Sequence, residues 1–364
     1  MPFVAGSSPV ARSLSSPLKS PIIAVPNTNT LPRAPFGLRF CILLAALTFI
    51  GLSPEARANP APESEPSTET GDAAPEDGPP DCRYAPQPKD VESGRFTHQF
   101  LPHTGLFRQP IADMKAPRFY GGLRPTNYRT GPLVRQEETG GDFIAGLAGL
   151  GARLGIYGWR DGHCNGIQVG ISGAVFSEFN LSTVSENLLN SDFIAALPIS
   201  WRWGRWSGQL RLFHQSSHLG DEYLLNNGTV ERDDLTIEAF DVTLSYAGSW
   251  WRLYGSGGFI IFSPVDLGHG FVQAGGELRA HFWKFGAPSR NWFIPVAGID
   301  VQSFQARDWA LGVSAKAGLE MGVDGPVIHR VRMLVGALGG YSPFGQFFRT
   351  SKVTSYGLEA QIEF

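Results

Sequence analysis

The chain has 364 residues, 42% hydrophobic, 12% aromatic and only 17% charged, with 44 Gly and 27 Pro. Its 30 basic and 33 acidic side chains leave a formal charge of -3, so nothing in the bulk charge points to nucleic acid. Aromatic residues at this level exclude a chain disordered throughout. The glycines count against an all-helical one, since each costs a helix about 1 kcal/mol.

The N-terminal 58 residues read as a targeting segment. Within Leu38 to Leu52 an apolar run of about a dozen positions follows Arg33 and Arg39, and Ala56-Arg57-Ala58 then supplies a small-x-small cleavage site. That order is the order of a secretory signal peptide with an extended n-region. The competing reading, a single membrane anchor, needs roughly 20 apolar residues, more than this run has. Cleavage removes Cys41 and leaves Cys82 and Cys164. An oxidising compartment would let these two pair, but their spacing does not decide whether they do. Residues 59–88 are rich in Pro, Glu, Ser and Thr and have too little apolar surface to fold; they read as a disordered acidic leader.

Residues 89–364 read as an N-terminal extension followed by a β-barrel. Period-2 alternation recurs from about Ala116 onward, without helical periodicity or a run of 18 apolar residues. In the last segment Tyr356, Leu358, Ala360, Ile362 and Phe364 share one face, and Ser355, Gly357, Glu359, Gln361 and Glu363 the other. Leu311 to Met321 and Val272 to Phe282 alternate in the same way. An apolar face backed by a charged or small one suits lipid outside and a polar lumen inside. Short connections near 161–165, 204–205, 248–249 and 324–327 alternate with mostly longer polar ones at 180–191, 219–233, 263–269 and 342–352. Trp201, Trp203, Trp206, Trp250 and Trp251 gather at two of the short turns, where an aromatic girdle belongs. The fold expected is therefore all-β: a single closed antiparallel transmembrane barrel of about twelve strands. These run near 116–122, 142–159, 166–179, 192–203, 206–218, 234–247, 251–262, 270–284, 291–304, 308–323, 329–341 and 353–364. The aromatic Phe364 closing the last strand resembles the terminal signal of bacterial outer-membrane proteins. Lumen positions of mixed sign, including Glu277, Arg279, His281, Lys316, Glu320 and Glu359, are expected to pair and close the interior rather than line a general pore.

Two stretches carry a family resemblance: L-F-R-Q-P-I-A-D-M-K-A-P-R-F, Leu106 to Phe119, and F-H-Q-S-S-H-L-G-D-E-Y-L-L, Phe213 to Leu225. With the barrel pattern they resemble domain of unknown function 1207, an uncharacterised family of bacterial outer-membrane proteins, over about residues 90–364. The resemblance implies a location, the outer membrane, and no activity.

The sharpest chemical signal lies in one hairpin. Gln209 and Arg211 suit the lumen, so Leu210 and Leu212 face lipid, and the same parity turns His214 and Ser216 outward. On the next strand Phe240, Val242, Leu244 and Tyr246 face lipid, which turns Glu238 outward as well. A loop centred near Asn226 sets Glu238 opposite His214, with Cβ atoms about 5 Å apart. His-x-Ser with an acid from the adjoining strand resembles outer-membrane phospholipase A and lipid A deacylase. That resemblance implies Ser216 as nucleophile, His214 as base and Glu238 as the group orienting the imidazole. The phospholipase pattern continues Ser-Asn-Gly, whereas Ser217-His218-Leu219 stands here. The plainer reading is a polar strand end meeting headgroups in a non-enzymatic structural or transport barrel. The expected partners are outer-membrane lipids (phospholipid or lipopolysaccharide), with a homodimer left open. Asp221, Glu222, Glu231, Asp233 and Asp234 share the loop after this strand. Calcium takes six to eight oxygens, so Asp221 and Glu222 are candidate ligands, against the simpler reading of a solvated acidic loop.

Overall fold

The structure is a computed structural model that describes residues 96–102, 105–135, 141–161, 165–226, 234–283, 291–323 and 330–363. The signal peptide, the acidic leader, Cys82, Cys164, Glu231, Asp233, His329 and Phe364 lie outside the described residues.

Thirteen strands form one sheet: β1 Thr97–Phe100, β2 Phe119–Tyr128, β3 Asp142–Arg160, β4 Gly166–Asn180, β5 Leu188–Trp203, β6 Trp206–Leu219, β7 Leu235–Ala247, β8 Trp251–Phe262, β9 Gly270–Arg279, β10 Asn291–Phe304, β11 Leu311–Val323, β12 Arg330–Tyr341 and β13 Lys352–Glu363. From β2 to β13 each strand pairs antiparallel with the next, and β13 closes on β2 through pairs running from Phe119–Ile362 to Tyr128–Val353. The result is a closed ring of twelve strands. The thirteenth, β1, is four residues long and covers the far end of β3, Thr97 opposite Arg160 and Phe100 opposite Tyr157. Closure leaves no open edge in the wall, which is what a sheet needs in hydrocarbon. Among the described residues no helix is long and apolar enough to cross a membrane.

Burial in this fold is inverted. On β13 Tyr356 and Leu358 are each 66% exposed, while Glu359 and Gln361, on the opposite face just after them, are 2% and 0% exposed. Leu154, Val169, Leu244, Leu253, Leu319 and Val335 carry the outward apolar surface around the ring. A belt of that extent has no place in water and marks the lipid-facing wall of a transmembrane barrel. Trp203, Trp206 and Trp250 are exposed at the short-turn ends, as an interfacial girdle requires.

The lumen is full. Glu277 is gripped by Arg108 at 3.1 Å, Arg252 at 3.0 Å and Arg279 at 3.2 Å; Glu320 takes Arg332 at 2.6 Å; Glu359 takes Arg124 at 2.6 Å and Lys316 at 2.7 Å. Buried charges persist only when paired in this way. Between them runs the segment Gly105 to Arg118, which has no regular structure yet is almost wholly buried. With no ladder of its own, its backbone needs other partners. Wall side chains supply them: Arg202 Nε donates to Leu106 O at 2.9 Å, Arg153 Nη1 to Phe107 O at 2.8 Å and Arg252 Nη1 to Arg108 O at 2.7 Å, while Glu277 accepts the Ile111 N–H. Those side chains stand on β5, β3, β8 and β9, so the segment crosses the interior as a plug. The first wall strand, expected at 116–122, accordingly starts only at Phe119. Arg118 before it is a plug residue, donating to Ile111 O at 3.0 Å and to Gln361 Oε1 at 2.9 Å.

The long-loop end is capped. In the 342–351 connection a short 3-10 turn, Gly345–Phe347, buries Phe344 and Phe347 in a cluster with Tyr128, Phe143, Leu189 and Tyr223, while Phe348 joins a second cluster with Leu235, Ile237 and Ile260. Gly345 donates to the Asp192 carboxylate at 3.1 and 3.2 Å, and Gln346 N donates to Asn190 Oδ1 at 3.1 Å. A Cβ on residue 345 would collide with Ser217 and Asp192, so close approach dictates glycine there. Asp192 also receives the Lys115 ammonium from the plug. Cap and plug therefore meet on one buried carboxylate.

Candidate functional site

The outward face of β6 changes character along its length. Leu210 and Leu212 belong to the apolar belt, with Leu212 48% exposed, but His214, Ser216 and His218 continue the same parity to the end of the strand. That end opens into the 220–234 connection, whose first part forms a short helix, α1 (Asp221–Asn226). The inward positions between them belong to the interior: Arg211 pairs with Asp241 at 2.5 Å, Phe213 packs into the aromatic cluster, and Ser217 is 2% exposed. The strand period thus separates the outward row of His214, Ser216 and His218 from inward side chains that pair and pack inside the barrel.

The β6–β7 register sets His214 opposite Glu238 and Ser216 opposite Thr236. His214 Nδ1 lies 3.6 Å from Glu238 Oε1, an ion-pair distance beyond hydrogen-bond reach. Glu238 is partly exposed while His214 is largely covered. The Ser216 hydroxyl makes its hydrogen bond to His218 Nε2 at 2.8 Å, and not to His214. On the β5 side Phe193 stands opposite Ser216 and meets the His218 ring edge-to-face, centroids 5.8 Å apart. Phe262, across the β7–β8 pair from Glu238, is 54% exposed. Two half-sets therefore share one outward patch, His214 with Glu238 and Ser216 with His218, between exposed aromatic side chains. His218 was the residue that sequence reasoning passed over. Its signal was available, because position 218 follows 216 on the same strand face.

The patch is backed by the cap. Gln346 Nε2 donates to the Ser217 carbonyl at 2.8 Å, which fixes the Ser217–His218 peptide. Asp192, opposite Ser217 on β5, holds the neighbouring Gly345.

Asp221 and Glu222 are adjacent in the first turn of α1 and both are exposed. Among the described residues no group of three or more His, Cys, Asp or Glu is placed to hold a metal ion. Two neighbouring carboxylates fall short of the six to eight oxygens calcium takes.

The profile of one protein family, described as protein of unknown function (DUF1207), matches residues 76–364. The chain belongs to this family. Both stretches that suggested it, the plug and the His-x-Ser strand with α1, lie within the match. No curated protein matches the chain. Among solved structures, outer membrane phospholipase A from Escherichia coli is similar at 12% identity and a TM-score of 0.42, over 67% of this chain and 89% of that one. A Salmonella typhi outer membrane phospholipase dimer with bound calcium aligns at 14% identity and TM-score 0.43, over 67% and 90%. The transport unit of the autotransporter AIDA-I from Escherichia coli aligns at 14% and 0.34, over 71% and 94%. Likeness of this order carries no argument about chemistry, so the function has to be argued from the side chains.

Proposed function

We propose that this chain is an outer-membrane barrel that hydrolyses an acyl ester of a membrane lipid, phospholipid or lipid A, on its outer wall, with Ser216 as nucleophile. The observation that carries the reading is the serine hydroxyl hydrogen-bonded to an imidazole nitrogen on a face that is otherwise lipid-facing. Polar side chains on such a face are costly unless they satisfy one another or meet the interface. Ser216 and His218 do the first, and their place near the strand end does the second. An acyl-ester hydrolase must meet its bond at headgroup depth, and short turns on the periplasmic side put this patch in the outer leaflet. The resemblance in sequence gives His214 the part of base and Glu238 that of its orienter.

In the reaction Ser216 Oγ bonds to the acyl carbon while its proton passes to an imidazole nitrogen. The tetrahedral adduct collapses, the ester C–O bond breaks, and the departing alcohol oxygen takes that proton. Water then attacks the acyl-serine, gives a proton to the same imidazole, and releases the fatty acid as Ser216 is reprotonated.

The other reading, a non-enzymatic structural or transport barrel, has little from the interior on its transport side. Among the described residues the plug crosses the lumen and the cap covers its long-loop end. The test is release of fatty acid from defined phospholipid and lipid A by the refolded barrel in detergent micelles. Ser216→Ala should abolish release while the protein keeps the heat-dependent gel mobility of a folded barrel. Release undiminished in Ser216→Ala, or absent from the unaltered protein on both lipids, refutes the hydrolase reading.

A further inference from the structure

We propose that the general base for Ser216 is His218, and that His214 with Glu238 is a separate pair beside the reacting atoms. This rests on the hydrolase reading above and assigns the proton transfer within it. Three observations carry it. Ser216 Oγ is 2.8 Å from His218 Nε2, inside the 2.6–3.2 Å window within which a base takes a proton directly. The ring of His218 is set by the edge of Phe193, and its backbone by the hydrogen bond from the cap to Ser217 O, so this contact is held from two sides. His214 Nδ1 instead turns to Glu238 at 3.6 Å.

The geometry follows from the strand. Residues 214, 216 and 218 stand in one outward row about 7 Å apart along the chain, so a serine in the middle can reach only one flanking ring at a time. Here it reaches the ring nearer the strand end and the long loops. For that contact to work, the Ser216 O–H donates to Nε2, and His218 carries its remaining proton on Nδ1. Attack moves the hydroxyl proton to Nε2. Collapse of the adduct returns it to the leaving alcohol oxygen, and the water of deacylation repeats the cycle on the same nitrogen. His214, 3.6 Å from Glu238, lies on the other side of Ser216, within the belt side of the patch.

The experiment compares His218→Gln, His214→Gln and Ser216→Ala in the full-length refolded barrel, each first shown to keep heat-dependent mobility. Two readouts are used. One is release of fatty acid from a phosphatidylethanolamine–lipid A micelle. The other is the rate of covalent labelling of Ser216 by a fluorophosphonate, which needs the base but no lipid. The expected result is a loss of about 100- to 10,000-fold in both rates for His218→Gln, approaching Ser216→Ala in release. His214→Gln should lose less than about tenfold in labelling. A labelling rate that collapses in His214→Gln and survives in His218→Gln overturns the assignment while leaving the hydrolase reading intact. Equal collapse in both also overturns it, since a single base would not produce that pattern. Neither labelling nor release by the unaltered barrel refutes the hydrolase reading instead.

Discussion

Asp192 is the residue whose loss should cost the fold most. It is 0% exposed and receives the Lys115 ammonium from the plug, the Gly345 N–H from the cap and Asn190 Nδ2 at 3.0 Å from its own strand. Asp192→Asn keeps an oxygen for the amide donors but strips Lys115 of its counter-charge. The ammonium then has only the rings of Phe176 and Phe344, each 5.1 Å away. Breaking a buried pair from one side costs about 3–5 kcal/mol, and cation–π contacts offset about 1 kcal/mol of that, so about 3 kcal/mol is expected. Asp192→Ala also leaves two buried donors without an acceptor, about 1 kcal/mol or more each, for a total near 5 kcal/mol. Removing the charge as well, in Lys115→Met with Asp192→Asn, should recover most of the first loss, giving a coupling energy of about 2 kcal/mol. The assay is urea unfolding of the barrel in detergent micelles, followed by tryptophan fluorescence and by gel mobility. If Asp192→Asn lies within 1 kcal/mol of the unaltered protein, the plug and cap do not share a load at this carboxylate.

The remaining predictions concern the interior and the loop. Planar bilayers containing the unaltered barrel should show no large steady currents, and deletion of residues 105–118 with the heat-dependent mobility retained should introduce them; large currents before deletion would refute the plugged lumen. Burial pushes the Tyr223 hydroxyl on α1 up to about 12. Between pH 10 and 12 the unfolded chain would release a proton that the fold keeps, so this residue's contribution to stability is intact below pH 10 and lost as pH rises through 12. Ultraviolet titration should accordingly show a tyrosinate step near pH 12, and Tyr223→Phe should remove that step. A titration in which Tyr223→Phe removes an ordinary tyrosine near pH 10 contradicts this. Chelation should leave any acyl release unchanged, since among the described residues the acidic side chains form no metal-binding cluster; loss of activity in chelator restored by calcium would refute that statement.

Much of the wall was legible because lipid on one side and paired charge on the other force strict alternation. The strands 251–262 and 291–304 fall where the pattern places them, and most others agree within a few residues. The disagreements have local causes. The stretch 116–118 carries apolar and basic residues that suit a strand, but they belong to the plug, where tertiary contacts replace a ladder. The expected 270–284 strand stops at Arg279, and 280–283 turns back on itself, with Trp283 N donating to Ala280 O at 2.8 Å. The plug itself has no periodicity to read, because its backbone hydrogen bonds go to three arginines and a glutamate brought in from four strands. At the candidate site, parity placed His214, Ser216 and Glu238 on the outer wall. It could not choose between two histidines equally spaced about one serine. That choice is made by side-chain rotation and by Phe193, which no period encodes.

The seam between β2 and β13 has a consequence for how the ring assembles. Every other wall pairing joins strands adjacent in sequence and forms through local hairpins, whereas this one joins the two ends of the barrel. Non-local pairing of that kind is slow, because chain ordering must come before any contact rewards it. The residues immediately before β2 are those that bind Arg202, Arg252, Glu277 and Gln361 from widely separated strands. A segment bonded to all of those strands would hold the first wall strand near the last while the seam is made, so defects in it are expected to surface as slow or incomplete ring closure and as loss of assembled barrel.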